Sequence, residues 1–364
     1  MAQGGARSLA PFFKQVSPLL KITRSRRPFS STRSYTKEPV PTFTPTSSPE
    51  LTRLFEKYRQ NFFIPMSLGL RHRNLIYKNK YAKKLEDNPI SINIGRGREE
   101  IYHLKPLEKT GHPGTSELRE VVALMKTRED WYNLLPLLVG LKISKRQLVG
   151  RRLTWLIRRA GFAGQASILL ECAKQSKRTG LTLNHADIAM QFFLAIRYNA
   201  REAGFRGPEV QTSLRQATQA AELLDAPEHT STSMTKDAKR LPEIIGILLE
   251  LEAANTLNTL EGKDVEGRVR SYAEKLISTW RLGNLDIPSK WHEANLRLLN
   301  IIPTWHGISL ALQVKDIQAN TDLSNSLRSY MSELGGKIEA AVEIVAKENP
   351  TAAGLKQAEL LYRK

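Results

Sequence analysis

From Thr115 to the end of the chain, apolar residues recur every three or four positions in segments of about 12 to 20 residues. Short polar breaks separate these segments. Several breaks carry helix signals, such as Gly180 after Lys177 and Arg178, and Pro208 at the start of a run. No alternating Val/Ile-rich run follows. The pattern predicts an all-α fold, either a solenoid of α-hairpins or a helical bundle.

The helix boundaries follow from local signals. We predict helices starting at Thr115 and Thr127, and a helix from a capping box formed by Ser144 and Gln147 to Gly161. Further helices are predicted over residues 162–180, 184–204, 208–225, 237–260, 264–282, 289–301, 306–319, 321–334, 336–348 and 351–363. The uncharged run 298–314 is interrupted by polar residues and is shorter than the ~20 apolar residues of a membrane span. We expect it to form a buried helix, a bend and a second helix.

The pattern before residue 115 is different. Residues 37–50, KEPVPTFTPTSSPE, have the composition of a linker. A short helix is predicted over 51–60, but 61–113 lack sustained helical periodicity. Brief alternation within residues 89–107 indicates a small hairpin. We therefore predict a partly extended arm over 51–114, shaped by a partner, in front of a helical-repeat domain over 115–364.

Residues 1–36 have a third character. They contain no Asp or Glu, and they carry seven basic residues together with apolar residues at roughly helical spacing. This describes a mitochondrial transit peptide, and so predicts import into the mitochondrial matrix. Arg27, Phe29 and Thr32 match a processing site that cuts after Thr36, and a cut after Phe29 is the other interpretation. The alternative to removal is a disordered basic tail that stays on the protein.

The formal net charge of +19 is unevenly distributed. Residues 50–160 contain 23 Lys or Arg and 11 Asp or Glu, whereas residues 161–364 contain 24 of each. Beyond the first 36 residues, the whole excess therefore lies in front of a neutral body. Clustered positive charge attracts polyanions such as RNA, because each neutralised phosphate releases a counterion.

Three segments concentrate this charge. The first is residues 70–85, where tyrosines that can stack on bases lie between the cations. The second is the loop 94–99, and the third is the predicted helix that follows Ser144, which also carries Lys145 and Arg146. The candidate RNA- or ribosome-binding residues are Arg71, Arg73, Tyr77, Lys78, Lys80, Tyr81, Lys83, Lys84, Arg96, Arg98, Arg151, Arg152, Arg158 and Arg159. For each segment alone, a solvated surface is the alternative.

The sequence shows no convincing catalytic motif. Cys172, the single cysteine, lies among apolar residues and is predicted to be buried. No phosphate-binding loop is present, and no histidine pair has the spacing of a zinc helix. Glu250, Glu252 and Glu261 lie on or near an apolar helix without a matching histidine. We expect no cofactor, no metal and no small-molecule substrate.

Two further pairs, Trp291-His292 and Trp305-His306, are fourteen positions apart. They could line one groove, but packed helix faces with partly satisfied histidines are the preferred interpretation. His185 and Asp187 are interpreted as a helix cap and a first-turn acid.

Residues 152–184 resemble one pentatricopeptide repeat. The matching features are Leu156-Ile157 on the first helix, Ala160-Gly161 at the turn, Gln165-Ala166 opening the second helix, Leu169-Leu170, and the exit TGLTLN. Residues 188–205 and 216–225 show weaker resemblance to the same repeat. The resemblance implies an organellar α-solenoid that binds RNA. Trp155 stands where the family has a small polar base-reading residue, so the resemblance does not imply base readout by this repeat.

Together with the basic arm, the chain looks like a fungal mitochondrial ribosomal or ribosome-associated protein. The leading hypothesis is a non-catalytic protein of mitochondrial gene expression whose partners are mitochondrial rRNA or mRNA and mitoribosomal proteins. The first alternative is a helical scaffold or assembly factor for a respiratory complex in the matrix, with room for peripheral contact with the inner membrane. The second alternative is a matrix enzyme with an unrecognised helical fold.

Overall fold

The computed structural model describes residues 40–94, 100–107, 114–231, 233 and 237–363. This part of the chain is mostly helical, which confirms the predicted all-α class. In chain order the elements are α1 (Pro49–Tyr58), α2 (Ile64–Ser67), α3 (Leu70–Tyr77), α4 (Ala82–Asp87), β1 (Ser91–Asn93), β2 (Ile101–His103), α5 (Thr115–Leu124), α6 (Arg128–Tyr132), α7 (Leu134–Ile143), α8 (Arg151–Phe162), α9 (Ala166–Lys174), α10 (Ser176–Thr179), α11 (Ala186–Glu202), α12 (Pro208–Leu223), α13 (Pro242–Thr259), α14 (Arg268–Thr279), α15 (Trp291–Ala311), α16 (Lys315–Ala319), α17 (Thr321–Glu348) and α18 (Ala353–Leu361). A π-helical turn, Arg59–Phe63, joins α1 to α2, and a 3-10 turn, Asn79–Tyr81, precedes α4. The predicted transit peptide lies outside the described residues.

The region predicted as a partly extended arm is folded onto the helical body over much of its length. Ser48 caps α1, and Phe55, Phe62 and Phe63 are buried on α1 and the π-helical turn. Phe43 stacks on Phe55 with ring centroids 4.3 Å apart. These aromatic side chains belong to the same hydrophobic cluster as α7 to α12. The weak periodicity of this region reflects a series of short helices, whose burial depends on the rest of the fold.

The small hairpin predicted within residues 89–107 is confirmed. Strands β1 and β2 pair antiparallel, with Ile92 opposite Tyr102. The hydroxyl of Tyr102 donates a hydrogen bond to the carbonyl oxygen of Gln60, at 3.0 Å. The hairpin is thereby tied to the π-helical turn. Its tip, residues 95–99, lies outside the described residues.

The long helices form a continuous stack in which α8 packs against α11, α11 against α12, α12 against α13, α13 against α15, and α15 against α17. Helix α13 lies between the two hydrophobic clusters of the protein. Ile244 and Ile247 belong to the first cluster, and Ile245 and Leu249 belong to the second. Because both faces are buried, α13 is apolar almost all round instead of on one stripe.

A close approach of two backbones brings α13 and α15 together. A Cβ atom built at Gly307 would lie 2.7 Å from the carbonyl oxygen of Gly246, closer than real side chains allow. Glycine at position 307 therefore permits this spacing. This spacing lets α13 and α15 pack closely against each other within the stack.

The predicted capping box at Ser144 and Gln147 is wrong. Ser144 is buried at the C-terminal cap of α7, and α8 begins only at Arg151. Between them the chain turns at Lys145, which has a φ of 57°. The side-chain amide of Gln147 donates instead to the carbonyl oxygen of Gly180, at 2.9 Å. A contact with a distant loop thus replaces the expected capping interaction.

Two predicted helix breaks are also wrong. Helix α15 continues through Pro303, and α17 continues through Gly335 and Gly336. An interior proline costs about 3 kcal/mol and a glycine about 1 kcal/mol relative to alanine. Fully buried side chains on both sides of each site, such as Leu334 and Ile338 on α17, offset these costs. No helix within the described residues is long and apolar enough to cross a bilayer.

Candidate nucleic-acid interface

The first basic cluster, the α3–α4 cluster, comprises the candidate residues from Arg71 to Lys84. Arg71 and the four lysines at positions 78, 80, 83 and 84 are exposed. Within the described part of the chain, none of these five side chains forms an ion pair with a carboxylate. The 3-10 turn between α3 and α4 holds Lys78, Lys80 and Tyr81 on one short bend. The cluster therefore offers several unneutralised cations within two turns of backbone.

Tyr81 is half-buried and lies under a cation, because the ammonium of Lys80 is 4.9 Å from the centre of its ring. Cation–π contacts of this kind contribute roughly 0.5–1 kcal/mol at exposed sites. The pair is a local arrangement of this turn. It leaves part of the tyrosine ring at the surface beside the exposed lysines.

Tyr77 and Arg73 differ from the other members of the cluster. Both are half-buried, and Tyr77 packs against the first hydrophobic cluster. Burial raises the pKa of Tyr77, while the nearby charge of Arg73 lowers it in part. Burial, together with the neighbouring Tyr77, raises the pKa of Tyr102 to about 12. The Tyr77 side chain thus lies near Tyr102 of the β-hairpin, a structural position that the sequence pattern did not indicate.

The second basic cluster, the α8 cluster, consists of Arg151, Arg152, Arg158 and Arg159. Arg151 and Arg152 are exposed in the first turn of α8, which has no acidic residue and no side-chain cap. Cations at the positive end of a helix dipole are unfavourable by a few tenths of a kcal/mol or more. Free backbone N–H groups beside two guanidinium groups make this helix start attractive to an anion.

Arg158 lies in a different environment from the rest of the α8 cluster. Its side chain is half-buried, and its Nε donates to the Oε1 of Gln191 on α11, at 3.1 Å. Burial first, and then the neighbouring charge of Arg159, lower the pKa of Arg158. The aromatic ring of Trp155 packs against the first hydrophobic cluster. One face of α8 is therefore turned to α11, and Arg159 is exposed on the other.

The two clusters lie on separate elements. Helix α3 packs against α2 and α4, whereas α8 packs against α9 and, most extensively, α11. Lys145 and Arg146, expected on the same helix as the α8 cluster, are exposed in the turn before it. Arg96 and Arg98 lie outside the described residues.

A buried ionic network connects three helices, and the sequence interpretation missed it. The Oε1 of Glu250 accepts from the Nη2 of Arg197 at 2.7 Å, and lies 2.6 Å from the Nδ1 of His306. The Nε of Arg197 donates to the other oxygen of the same carboxylate. Phe205 covers the network, with its ring centre 4.7 Å from that of His306. Arg197 lies on α11, Glu250 on α13 and His306 on α15.

The electrostatics of this network are those of a structural contact. The Glu250 side chain is fully buried and that of Arg197 is 2% exposed. Burial alone would raise the pKa of Glu250, but the charge and hydrogen bonds of Arg197 and His306 together lower it. Both carboxylate oxygens are occupied by these partners. Glu250 is therefore an ion that holds three helices together, and the signal for it was a charged residue within an otherwise apolar run.

The remaining candidate chemistry is accounted for by packing. Cys172 is buried as predicted, and burial, with a smaller contribution from Glu171, raises the pKa of its thiol to about 12. Trp305 and Tyr362 meet edge to face, with ring centres 4.8 Å apart. His185 occupies the N-cap position of α11, and its side chain makes no capping hydrogen bond. Among the described residues, no group of three or more His, Cys, Asp or Glu side chains is placed to hold a metal ion.

The fold and these surfaces define an α-helical protein with exposed cationic clusters on a body of stacked helices. A family model described as mitochondrial ribosomal protein mS27 matches residues 27–364. The chain belongs to the mitochondrial ribosomal protein mS27 family. It is also 30% identical over 265 residues to the small ribosomal subunit protein mS27 of Neurospora crassa. That match covers 66% of this chain and 65% of the length of the relative.

Proposed function

We propose that this protein is a non-catalytic component of the small subunit of the mitochondrial ribosome, located in the matrix. The observation that carries the proposal is the α3–α4 cluster, five exposed cations with no carboxylate partner among the described residues, in a chain of the mS27 family. The name of the Neurospora relative places that protein in the small ribosomal subunit. We infer that the present chain occupies the corresponding particle, after removal of its first 29 or 36 residues.

The physical basis is charge neutralisation. Lysines 78, 80, 83 and 84 repel one another when no anion is present, and rRNA phosphates supply the missing counter-charge. Phosphate contacts fix position and orientation without reading sequence. We infer that the α3–α4 cluster and the exposed arginines of the α8 cluster contact the RNA backbone in this way, and that Arg96 and Arg98 extend the first of these surfaces.

Helices α8 and α9, with α10 and the exit after Gly180, would correspond to the pentatricopeptide-like repeat. In this proposal the repeat serves as a scaffold, because Trp155 is partly buried against the first hydrophobic cluster and is not the small polar residue that reads a base in this family. Gly161, expected at the turn of this repeat, lies inside α8. A Cβ atom there would lie 2.6 Å from that of Ala195 on α11. We infer that the divergence of the repeat reflects close helix packing instead of base recognition.

The neutral body fits protein contacts better than RNA contacts. It carries equal numbers of basic and acidic residues, and part of this charge is paired within the chain, as in Arg270–Glu274 at 2.8 Å and Lys337–Glu333 at 2.9 Å. We propose that residues 161–364 face ribosomal proteins. Membership of the mS27 family does not favour the alternative of an assembly factor for a respiratory complex.

The test is a salt titration of RNA binding by the purified chain, using fluorescence anisotropy and a labelled fragment of the small-subunit rRNA. The variant replaces lysines 78, 80, 83 and 84 with glutamine. The matched control makes the same replacement at four exposed lysines of the neutral body, at positions 263, 290, 315 and 347. Each lost phosphate contact lowers the slope of log K against log salt by about 0.7–0.9. We expect the slope to fall by about 3 in the variant and to stay unchanged in the control.

The same two variants are compared in mitochondria by sucrose-gradient sedimentation. Co-migration of the parent chain with the small subunit, weakened in the variant as salt is raised, is the expected result. If the parent chain sediments freely at low salt, the ribosomal assignment is wrong. Equal slopes for the variant and the control would instead show that the α3–α4 cluster is an ordinary solvated surface.

A further inference from the structure

A cleft of about 570 Å³ separates the last helix of the chain, α18, from α8 and α11. This volume is within the range of about 300–1,000 Å³ that is typical of ligand-binding pockets. Helix α18 is held on the other side of the cleft by α15 and α17. We call this cleft the α18 groove. Its walls come from helices that are distant in sequence, so it exists only in the folded chain.

Most of the exposed lining of the α18 groove is apolar, although Gln191, Arg197 and Gln357 also contribute to it. Leu194, Ala195 and Leu299 line it together with two large side chains that remain at the surface, Phe162 and Leu360. Phe162 is 52% exposed and Leu360 is 41% exposed. Large apolar side chains exposed around a concavity mark interaction sites more often than isolated ones do. A partner that inserts apolar side chains here would remove this surface from water.

The rim of the α18 groove carries uncompensated positive charge. Arg158, on the α8 side, bonds through its Nε to the neutral amide of Gln191, and Lys356 is exposed on α18. Neither forms an ion pair with any carboxylate of the described residues. Arg201 contributes little net charge, since its Nη2 lies 2.7 Å from an oxygen of Glu202. The rim therefore presents one free cation on each side of an apolar floor.

The environment of Arg158 strengthens this interpretation. The lowering of its pKa by burial and by Arg159 shows that the surroundings disfavour its charged form. A carboxylate from a partner would offset both effects, since a charge-assisted hydrogen bond is stronger where water is partly excluded. The Arg158 side of the rim therefore has a positive charge without a carboxylate partner among the described residues, next to an open cleft.

The same features favour a protein segment over RNA. The apolar part of the lining is mostly aliphatic (Leu194, Leu299 and Leu360), whereas a nucleobase needs flat surfaces on which to stack. Phe162 and Tyr198 are the aromatic side chains of the lining, and they already contact each other with ring centres 5.4 Å apart.

We propose that the α18 groove is a docking site for a segment of another protein that inserts one or two large apolar side chains between flanking carboxylates. The carboxylates pair with Arg158 and Lys356, and the apolar side chains pack on Phe162 and Leu360. The proposal rests on the proposed function only in placing the partner among the proteins of the same particle. The groove residues that bind the segment all lie in this chain, so binding can be measured on the isolated protein.

The first experiment measures binding of the full purified chain to a fluorescein-labelled helical peptide of about 15 residues. The peptide carries Leu and Phe one helical turn apart, with Glu at the flanking positions. Two control peptides replace Glu with Gln or with Lys. We expect the Glu peptide to bind at least about tenfold more tightly than the Lys peptide, because the rim charges select against a cation.

Matched variants locate the binding. We expect Leu360→Glu and Lys356→Glu each to weaken binding of the Glu peptide by about tenfold or more. Val265→Glu is the control, since Val265 is 75% exposed in a loop outside the groove and undergoes the same kind of change. Equal binding of the Glu and Lys peptides, or no binding up to about 100 µM, would overturn the proposal. So would displacement of the Glu peptide from the groove by a short single-stranded RNA.

The second experiment places the photo-crosslinker benzoylphenylalanine at position 162 in gradient-purified small subunits. A crosslink to a protein segment that has carboxylates next to a large apolar residue supports the proposal. A crosslink to rRNA, or none at all, contradicts it and leaves the ribosomal assignment intact. If the chain is missing from the particle, the ribosomal assignment fails, and the peptide measurements alone decide the nature of the α18 groove.

Discussion

Replacing Glu250 with glutamine would leave the guanidinium group of Arg197 buried without its counter-charge. The Arg197 side chain is 2% exposed, so water cannot solvate the orphaned ion. Removing one partner of a buried ion pair typically costs about 3–5 kcal/mol. A folded domain is stable by about 5–15 kcal/mol, so this single change would consume a large share of the total.

The assay is urea unfolding at neutral pH, followed by helical circular dichroism. The Glu359→Gln variant is the control, because Glu359 is exposed on α18, and its replacement should shift stability by less than about 0.5 kcal/mol. A second variant combines Arg197→Met with Glu250→Leu and so removes both charges at similar volume. We expect it to be more stable than Glu250→Gln by several kcal/mol, since apolar replacements of buried pairs are often neutral or stabilising.

The sign of the pH dependence follows from the lowered pKa of Glu250. A carboxyl group whose pKa is lower in the folded state stabilises the fold above its unfolded pKa. That contribution is lost as the pH falls through the folded pKa. The stability difference between the parent and Glu250→Gln should therefore be full at pH 7 and begin to shrink below about pH 4.5, the ordinary pKa of a glutamate side chain. A cost below about 1 kcal/mol for Glu250→Gln, or a double variant less stable than Glu250→Gln, would refute this account of the network.

Three further predictions concern packing, hydrogen bonding and reactivity. Gly161→Ala should lower the free energy of unfolding in urea by about 1–3 kcal/mol, because the new Cβ clashes with that of Ala195. Adding Ala195→Gly to the same chain should restore part of this stability. If no stability is restored, the clash is not the cause. The carboxylate of Asp130 accepts hydrogen bonds from the backbone N–H and the hydroxyl of Ser47, at 2.8 and 2.7 Å. Burial by itself raises the pKa of Asp130. Hydrogen bonds from Ser47 and from the backbone of residues 126 and 127 outweigh burial and lower this pKa to about 2. Asp130→Ala should thus cost about 2–3 kcal/mol at pH 7, and this difference should persist to about pH 4 and decline towards pH 2. The thiol of Cys172 is buried and its pKa is about 12, so it should resist a disulfide reagent in the folded protein and react promptly in urea. Rapid reaction without urea would show that the core around Cys172 opens.

Sequence signals that act within one or two helical turns predicted the local structure correctly. Gly180 terminates α10 in the left-handed conformation, with a φ of 78°, and Pro208 begins α12. The burial of Cys172 followed from its apolar neighbours at helical spacing. Such signals depend on the backbone geometry of a few neighbouring residues, so they survive in almost any tertiary context.

Sequence signals whose local preference competes with tertiary packing predicted the helix boundaries incorrectly. Ser144 and Gln147 have the spacing of a capping box, yet Gln147 bonds to the loop at Gly180 and the next helix begins seven residues after Ser144. Pro303 has the local chemistry of a helix break, yet it is buried inside α15. In each case the free energy of distant contacts exceeds a local preference of a few kcal/mol.

The candidate interface shows the same division. Composition alone placed the positive charge between residues 50 and 160, and the lysines of the α3–α4 cluster are exposed. The pattern could not distinguish Tyr77, which packs against the first hydrophobic cluster, from Tyr81, which lies under the ammonium of Lys80. Nor could it show that Arg158 faces α11 and the α18 groove, because that depends on which helix packs beside α8.

The amino-acid sequence by itself determined the helical class, the position of the charge and the neutrality of the body, because periodicity and composition are properties of the chain alone. The tertiary structure decided which charges are buried and which are free. Arg197, Glu250 and His306 are up to 109 positions apart, and only the stacking of α11, α13 and α15 brings them within hydrogen-bonding distance. Desolvation and pairing depend on that three-dimensional proximity, which no single stretch of the sequence contains.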